Sequence, residues 1–167
     1  MRILGLILVL VLAAEMPSQV GSATDIGLTM MSGNGPASAG PVTGQMCGVV
    51  PCTPFVAAPR AGGETRAVRH HAPTSSLYAL AIGLPSGACV PYPGLGNYLL
   101  LMPPIETLAL GQLGPLMLVS SCQQGMAFFS LTLPANAPAG ITFRLQSVGV
   151  SATGEFALSP AIEVTTQ

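Results

Sequence analysis

The later part of the chain repeats one pattern: an apolar side chain at every second position over a short run, then Gly or Pro. In residues 77–84, Tyr78, Leu80, Ile82 and Leu84 alternate with Ala79, Ala81 and Gly83, and Pro85-Ser86-Gly87 closes the run. Residues 97–102 are Leu-rich and stop at Pro103-Pro104, and residues 116–120 follow Gly114-Pro115. In residues 125–133, Ala127, Phe129, Leu131 and Leu133 alternate with Met126, Phe128, Ser130 and Thr132, before a turn-rich break at 134–140. Ile141, Phe143 and Leu145 oppose Thr142, Arg144 and Gln146 in residues 141–150, and Ile162 and Val164 oppose Glu163 and Thr165 in residues 161–166. Successive side chains of a strand point to opposite faces of a sheet, so a period of two predicts strands with one face in a core. Pro and Gly fall too often for long helices. About six to eight such strands predict an all-β, antiparallel sandwich for residues 74–167.

Residues 24–73 have a different texture. Ser32-Gly33-Asn34-Gly35-Pro36-Ala37-Ser38-Ala39-Gly40-Pro41 is dominated by turn formers and carries no sustained period. One short strand is expected at 26–31, and the rest is expected to be an irregular Gly/Pro/Ala/Ser-rich leader. Residues 61–71 hold Glu64, Arg66, Arg69, His70 and His71. They suggest a solvated linker, with a small basic docking patch as the alternative.

Residues 1–23 have the three parts of a secretory signal. Arg2 supplies the positive start, residues 3–14 form an apolar run with one Gly, and Gly21-Ser22-Ala23 offers small residues at a cleavage site. Cleavage is expected after Ala23, with Ala14 as the alternative. The apolar run ends at Glu15 and is followed by Pro17, short of the roughly 20 residues that a membrane-spanning helix needs. No span is expected once the signal is removed. The product is placed in the periplasm, at the cell surface or in the medium.

That compartment changes the reading of Cys47, Cys52, Cys89 and Cys122. An even cysteine count in a small exported chain predicts disulfides. Three connectivities are open, and sequence proximity favours Cys47–Cys52 with Cys89–Cys122. A metal site is not expected, because the C-x4-C pair has no second pair at ligand spacing and His70 and His71 would point to opposite faces of a strand.

Charge narrows the function classes. The chain of 167 residues has five basic residues, six acidic ones and a formal net charge of −1, and none of the basic residues is Lys. Without a basic stripe, nucleic-acid binding is not expected. The apolar composition and low charge are the opposite of a disordered chain.

Several segments of residues 75–167 together resemble a domain common at the C-termini of secreted proteins of planctomycetes and similar large-genome bacteria. They are Leu80-Ala81-Ile82-Gly83, a central Cys, Ser130-Leu131-Thr132-Leu133-Pro134, Gly140-Ile141-Thr142-Phe143-Arg144-Leu145-Gln146 and Leu158-Ser159-Pro160-Ala161. Pro160 departs from that pattern, which has Asn there. The resemblance implies an extracytoplasmic β-sandwich and brings no catalytic residues with it.

Catalytic constellations are missing from the pattern. A serine nucleophile needs a base and an orienting acid; the only histidines are His70 and His71, the only Asp is Asp25, and no Gly-x-Ser-x-Gly occurs. A glycosidase needs two carboxylates across a cleft; Glu106 and Glu155 are expected in loops and Glu163 on the outward side of its strand. Phosphate loops and calcium loops find no match, and no cofactor is expected. The function expected is that of a non-catalytic structural or interaction module contacting another protein domain. The alternatives are a module binding a surface glycan through Tyr92 and Tyr98, and a hydrolase. Phe128, opposite Phe129 on its strand, is a candidate exposed contact.

Overall fold

The computed structural model describes residues 25–31, 41–92, 94–120 and 123–167, so the expected signal at 1–23 and Cys122 lie outside the described residues. The fold is all-β and forms the expected sandwich. Among the described residues there are eleven strands: β1 (Gly27–Met31), β2 (Val42–Gln45), β3 (Phe55–Val56), β4 (Thr65–Ala72), β5 (Leu77–Pro91), β6 (Tyr98–Gln112), β7 (Gly114–Ser120), β8 (Gln123–Thr132), β9 (Thr142–Val150), β10 (Phe156–Leu158) and β11 (Ile162–Thr165). One sheet has the order β2-β1-β4-β8-β7 and the other β3-β11-β9-β5-β6, with β10 paired to β9. All pairings between strands are antiparallel except β3 with β11.

The period of two decides which side chains meet between the sheets. Leu28 and Met30 of β1, Val68 of β4 and Leu131 of β8 face Leu80 of β5, Phe143 and Leu145 of β9, and Ile162 and Val164 of β11. A smaller cluster of Ile26, Ala72, Leu113 and Ala157, with Tyr78 and Ala127 against it, fills one end. Fully burying an aliphatic side chain of this size stabilises the fold by roughly 1.5–3 kcal/mol.

The stretch 24–73, read from its composition as a leader, contributes four strands. The strand expected at 26–31 is β1, which pairs with both β2 and β4. The solvated-linker reading of residues 61–71 does not hold: residues 65–72 form β4, between β1 and β8. Its inward residues, Val68, His70 and Ala72, and its outward residues, Ala67, Arg69 and His71, do alternate. Charged and imidazole groups at both kinds of position hid that alternation.

Two proline signals were also overruled. Pro85 does not end β5, and Pro103-Pro104, joined by a cis bond, does not end β6. Proline removes a ladder donor and is tolerated where a strand has a free side. β6 is the edge of its sheet, and β5 beyond Gly83 has only β6 beside it. Glu106, expected in a loop, is therefore an exposed strand residue opposite Ile82.

Candidate functional site

Polar side chains concentrate in two places: under a folded-back ribbon on one sheet, and on β4. The ribbon is the far half of β5 and the near half of β6, residues 84–101. Arg144 and Gln146 stand on the outer face of β9, since Phe143 and Leu145 point to the core. Their hydrogen bonds run to the ribbon's main chain. Gln146 Nε2 donates to Tyr98 O and Ser159 O, both at 2.8 Å, and its Oε1 accepts from Leu100 N at 2.9 Å. Arg144 Nη1 donates to Ser86 O at 2.7 Å and Leu100 O at 3.1 Å, while Nε and Nη2 reach Glu163 Oε2 at 2.9 Å. The ribbon thus lies across the outer face of its own sheet. Its tip is tied to β10: Gly96 N donates to Phe156 O, Leu158 N to Gly96 O, and Asn97 Nδ2 to Leu158 O.

A disulfide joins Cys89 of this ribbon to Cys52, just before β3. The pairing of Cys47 with Cys52, favoured by proximity in sequence, is therefore corrected. Sequence distance loses to topology here, because the ribbon crosses from β5 over β9 towards the β3 edge. Cys47 is itself disulfide-bonded. Disulfides belong to oxidising compartments, and no helix among the described residues is long and apolar enough to cross a membrane.

The second polar concentration is on β4. His70 points between the sheets, where Nδ1 and Ser147 Oγ share a hydrogen bond of 2.5 Å and the ring stacks on Tyr78 with centroids 5.2 Å apart. His71 points to the opposite face, where Nε2 and Thr29 Oγ1 share a hydrogen bond of 3.0 Å. Each ring is only 2 % exposed. His70 Nε2 and His71 Nδ1 are buried without a hydrogen-bond partner among the described residues. Burial favours the neutral ring. It pushes the His70 pKa down to about 3, with the nearby His71 charge adding to the effect. It pushes His71 down to about 4, with Arg69 adding its charge. Ser147 and His70 therefore form a packed contact sealed from solvent, the reverse of an accessible nucleophile and base.

The residues singled out from the sequence lie on two different faces. Tyr92 and Tyr98 sit at the ribbon's end, beside the Pro91–Tyr98 pair, and both are half-buried. Phe128 is on the outer face of the other sheet, 48 % exposed, with the Arg69 guanidinium 5.1 Å from its ring centroid. The tyrosines and Phe128 thus do not share one surface. Glu163 does point outward, where it holds Arg144.

Sequence reasoning missed exposed apolar side chains on the paired strands β5 and β6. Leu77 and Leu110, 61 % and 68 % exposed, are diagonal neighbours on one face, because Leu110 pairs with Ala79. Leu84 and Met102 pair directly and Ile105 follows on β6; all three are exposed, with Leu84 in the opposite phase of β5 from Leu77. The available signal was alternation in which both phases are apolar, as at Leu77, Ala79 and Ala81 against Tyr78, Leu80 and Ile82. No family model, curated protein or solved structure matches this chain.

Proposed function

We propose that this protein is a non-catalytic, exported interaction module that engages another protein domain through the exposed apolar face that β5 and β6 present at Leu77 and Leu110. The observation that carries this reading is the pair of Leu77 and Leu110, exposed side by side on one face of β5 and β6, with Ile105 also exposed further along β6. Exposed apolar surface on a chain with so few charges favours association. The sealed histidines support a packing role for the groups a hydrolase would need. The disulfide and the expected signal support export, and the resemblance of residues 75–167 to domains of secreted bacterial proteins belongs to the same reading.

The test is binding of the purified, disulfide-intact protein to cell-envelope preparations of its source and to a glycan array. Envelope binding should fall at least tenfold in the Leu77→Ser/Leu110→Ser variant and survive in Tyr92→Ala/Tyr98→Ala. Glycan binding lost with the tyrosines and untouched by the leucine changes overturns the reading in favour of a carbohydrate-binding module. Hydrolase activity abolished by Glu106→Gln overturns it in favour of an enzyme.

A further inference from the structure

We propose that His70 and His71 form an acid-sensitive latch, in which protonation of the pair releases the β4 end of the sandwich and uncovers Tyr78 and the small apolar cluster beside it. The argument begins with position. β4 has β1 on one side and β8 on the other, and its two adjacent imidazoles look out from its two faces. His70 is the polar contact from β4 across the sandwich to Ser147 of β9 and Tyr78 of β5. It lies at the end filled by Ile26, Ala72, Leu113 and Ala157. The larger cluster around Val68, Leu80 and Leu145 lies further along the same strands.

The geometry has no provision for the charged form. An imidazolium presents two N–H donors, whereas each ring has one partner and one orphaned nitrogen. On His70 the orphan is Nε2, and it abuts the backbone of Gly149 so closely that a Cβ there would lie 2.9 Å away. Nε2 has no exposed surface, so the added proton does not meet bulk water while the sheets are closed. Among the described residues, the titratable and charged groups that act on the pair are Tyr78, stacked on His70, and Arg69, which acts on His71, besides the two histidines themselves. A charged pair beside Arg69 would place three positive charges on consecutive residues of one strand.

The direction of the response follows from linkage. Both pKa values are depressed in the closed form, so the open form binds more protons below the ordinary value of 6.5. Closure is undisturbed above that pH and weakens as pH falls from 6.5, down to about 4 through His71 and to about 3 through His70. Two protons taken up on opening raise the opening constant about a hundredfold per pH unit, and one proton about tenfold.

The experiment measures opening of the full, oxidised chain between pH 6.5 and 4.5, by amide hydrogen exchange at Tyr78 and Gly149 and by binding of an apolar dye. Wild type should approach the hundredfold dependence towards pH 5, His70→Gln and His71→Gln about tenfold each, and the double variant almost none. Equal steepness in wild type and the double variant overturns the proposal and assigns acid sensitivity to carboxylates. Should a variant not fold, deuterium exchange at the imidazole carbons of wild type decides the matter. Rings that titrate well below the ordinary value support the latch, and titration near 6.5 with the fold intact overturns it.

Discussion

Replacing Gln146 with Met tests whether one side-chain amide holds the ribbon on the sheet. Met has nearly the same length and volume but no hydrogen-bonding head. The substitution leaves Leu100 N, Tyr98 O and Ser159 O without the partners they have at 2.8–2.9 Å. Leu100 and Ser159 are essentially inaccessible, whereas Tyr98 is half-buried and recovers water. A buried polar group left unsatisfied costs about 1–3 kcal/mol. With two such groups, and a small contribution from Tyr98, Gln146→Met should destabilise the protein by about 3–5 kcal/mol. That is a large share of the roughly 5–15 kcal/mol typical of a domain. The assay is equilibrium urea unfolding of the oxidised protein, with Gln112→Met as the control. Gln112 makes one exposed bond to Ser75 O, so its loss should be within about 0.5 kcal/mol. A Gln146→Met effect below about 1 kcal/mol refutes the reasoning, since it means the freed groups find water and the ribbon is not sealed.

Two further outcomes follow from the same geometry. A peptide map of the oxidised protein should contain a Cys52–Cys89 link and no Cys47–Cys52 link. Removing both cysteines with Ser should cost up to about 4 kcal/mol in urea unfolding for a loop of separation 37. Gly149→Ala places a methyl against His70 and Ile26 and should cost about 1–3 kcal/mol in thermal or urea unfolding. Gly87→Ala, with open space around it, should be neutral or stabilise by up to about 1 kcal/mol.

The strands were legible in the sequence where one phase of the alternation is apolar and the other polar. β8 and β9 show this well: Phe129 and Leu131 against Ser130, and Phe143 and Leu145 against Thr142 and Arg144. β4 was illegible because its buried phase includes His70 and its outward phase includes the equally buried His71. A sequence pattern cannot distinguish an imidazole satisfied by Ser147 from one in water. Proline misled for a related reason, since its penalty depends on whether a neighbouring strand needs the missing donor. Only the sheet order reveals that β6 has a free side. The ribbon's anchors were hidden in plain periodicity: Arg144 and Gln146 fell in the phase expected to face solvent, and a non-local segment covers them. The favoured disulfide failed on the same point, because contact between residues 52 and 89 depends on where the ribbon goes.

The strand order has a consequence for the protein's history in the cell. Strands of the two sheets interleave along the chain, so neither sheet comes from one continuous stretch. β4 must wait for β8 to gain its second neighbour, and β11 inserts between β3 and β9 after every other strand has been made. Closing such long loops before any contact rewards them makes folding slow. The first sheet can form once β8 has been made, whereas the second, in the proposed export through a channel, is completed only after the last strand has crossed.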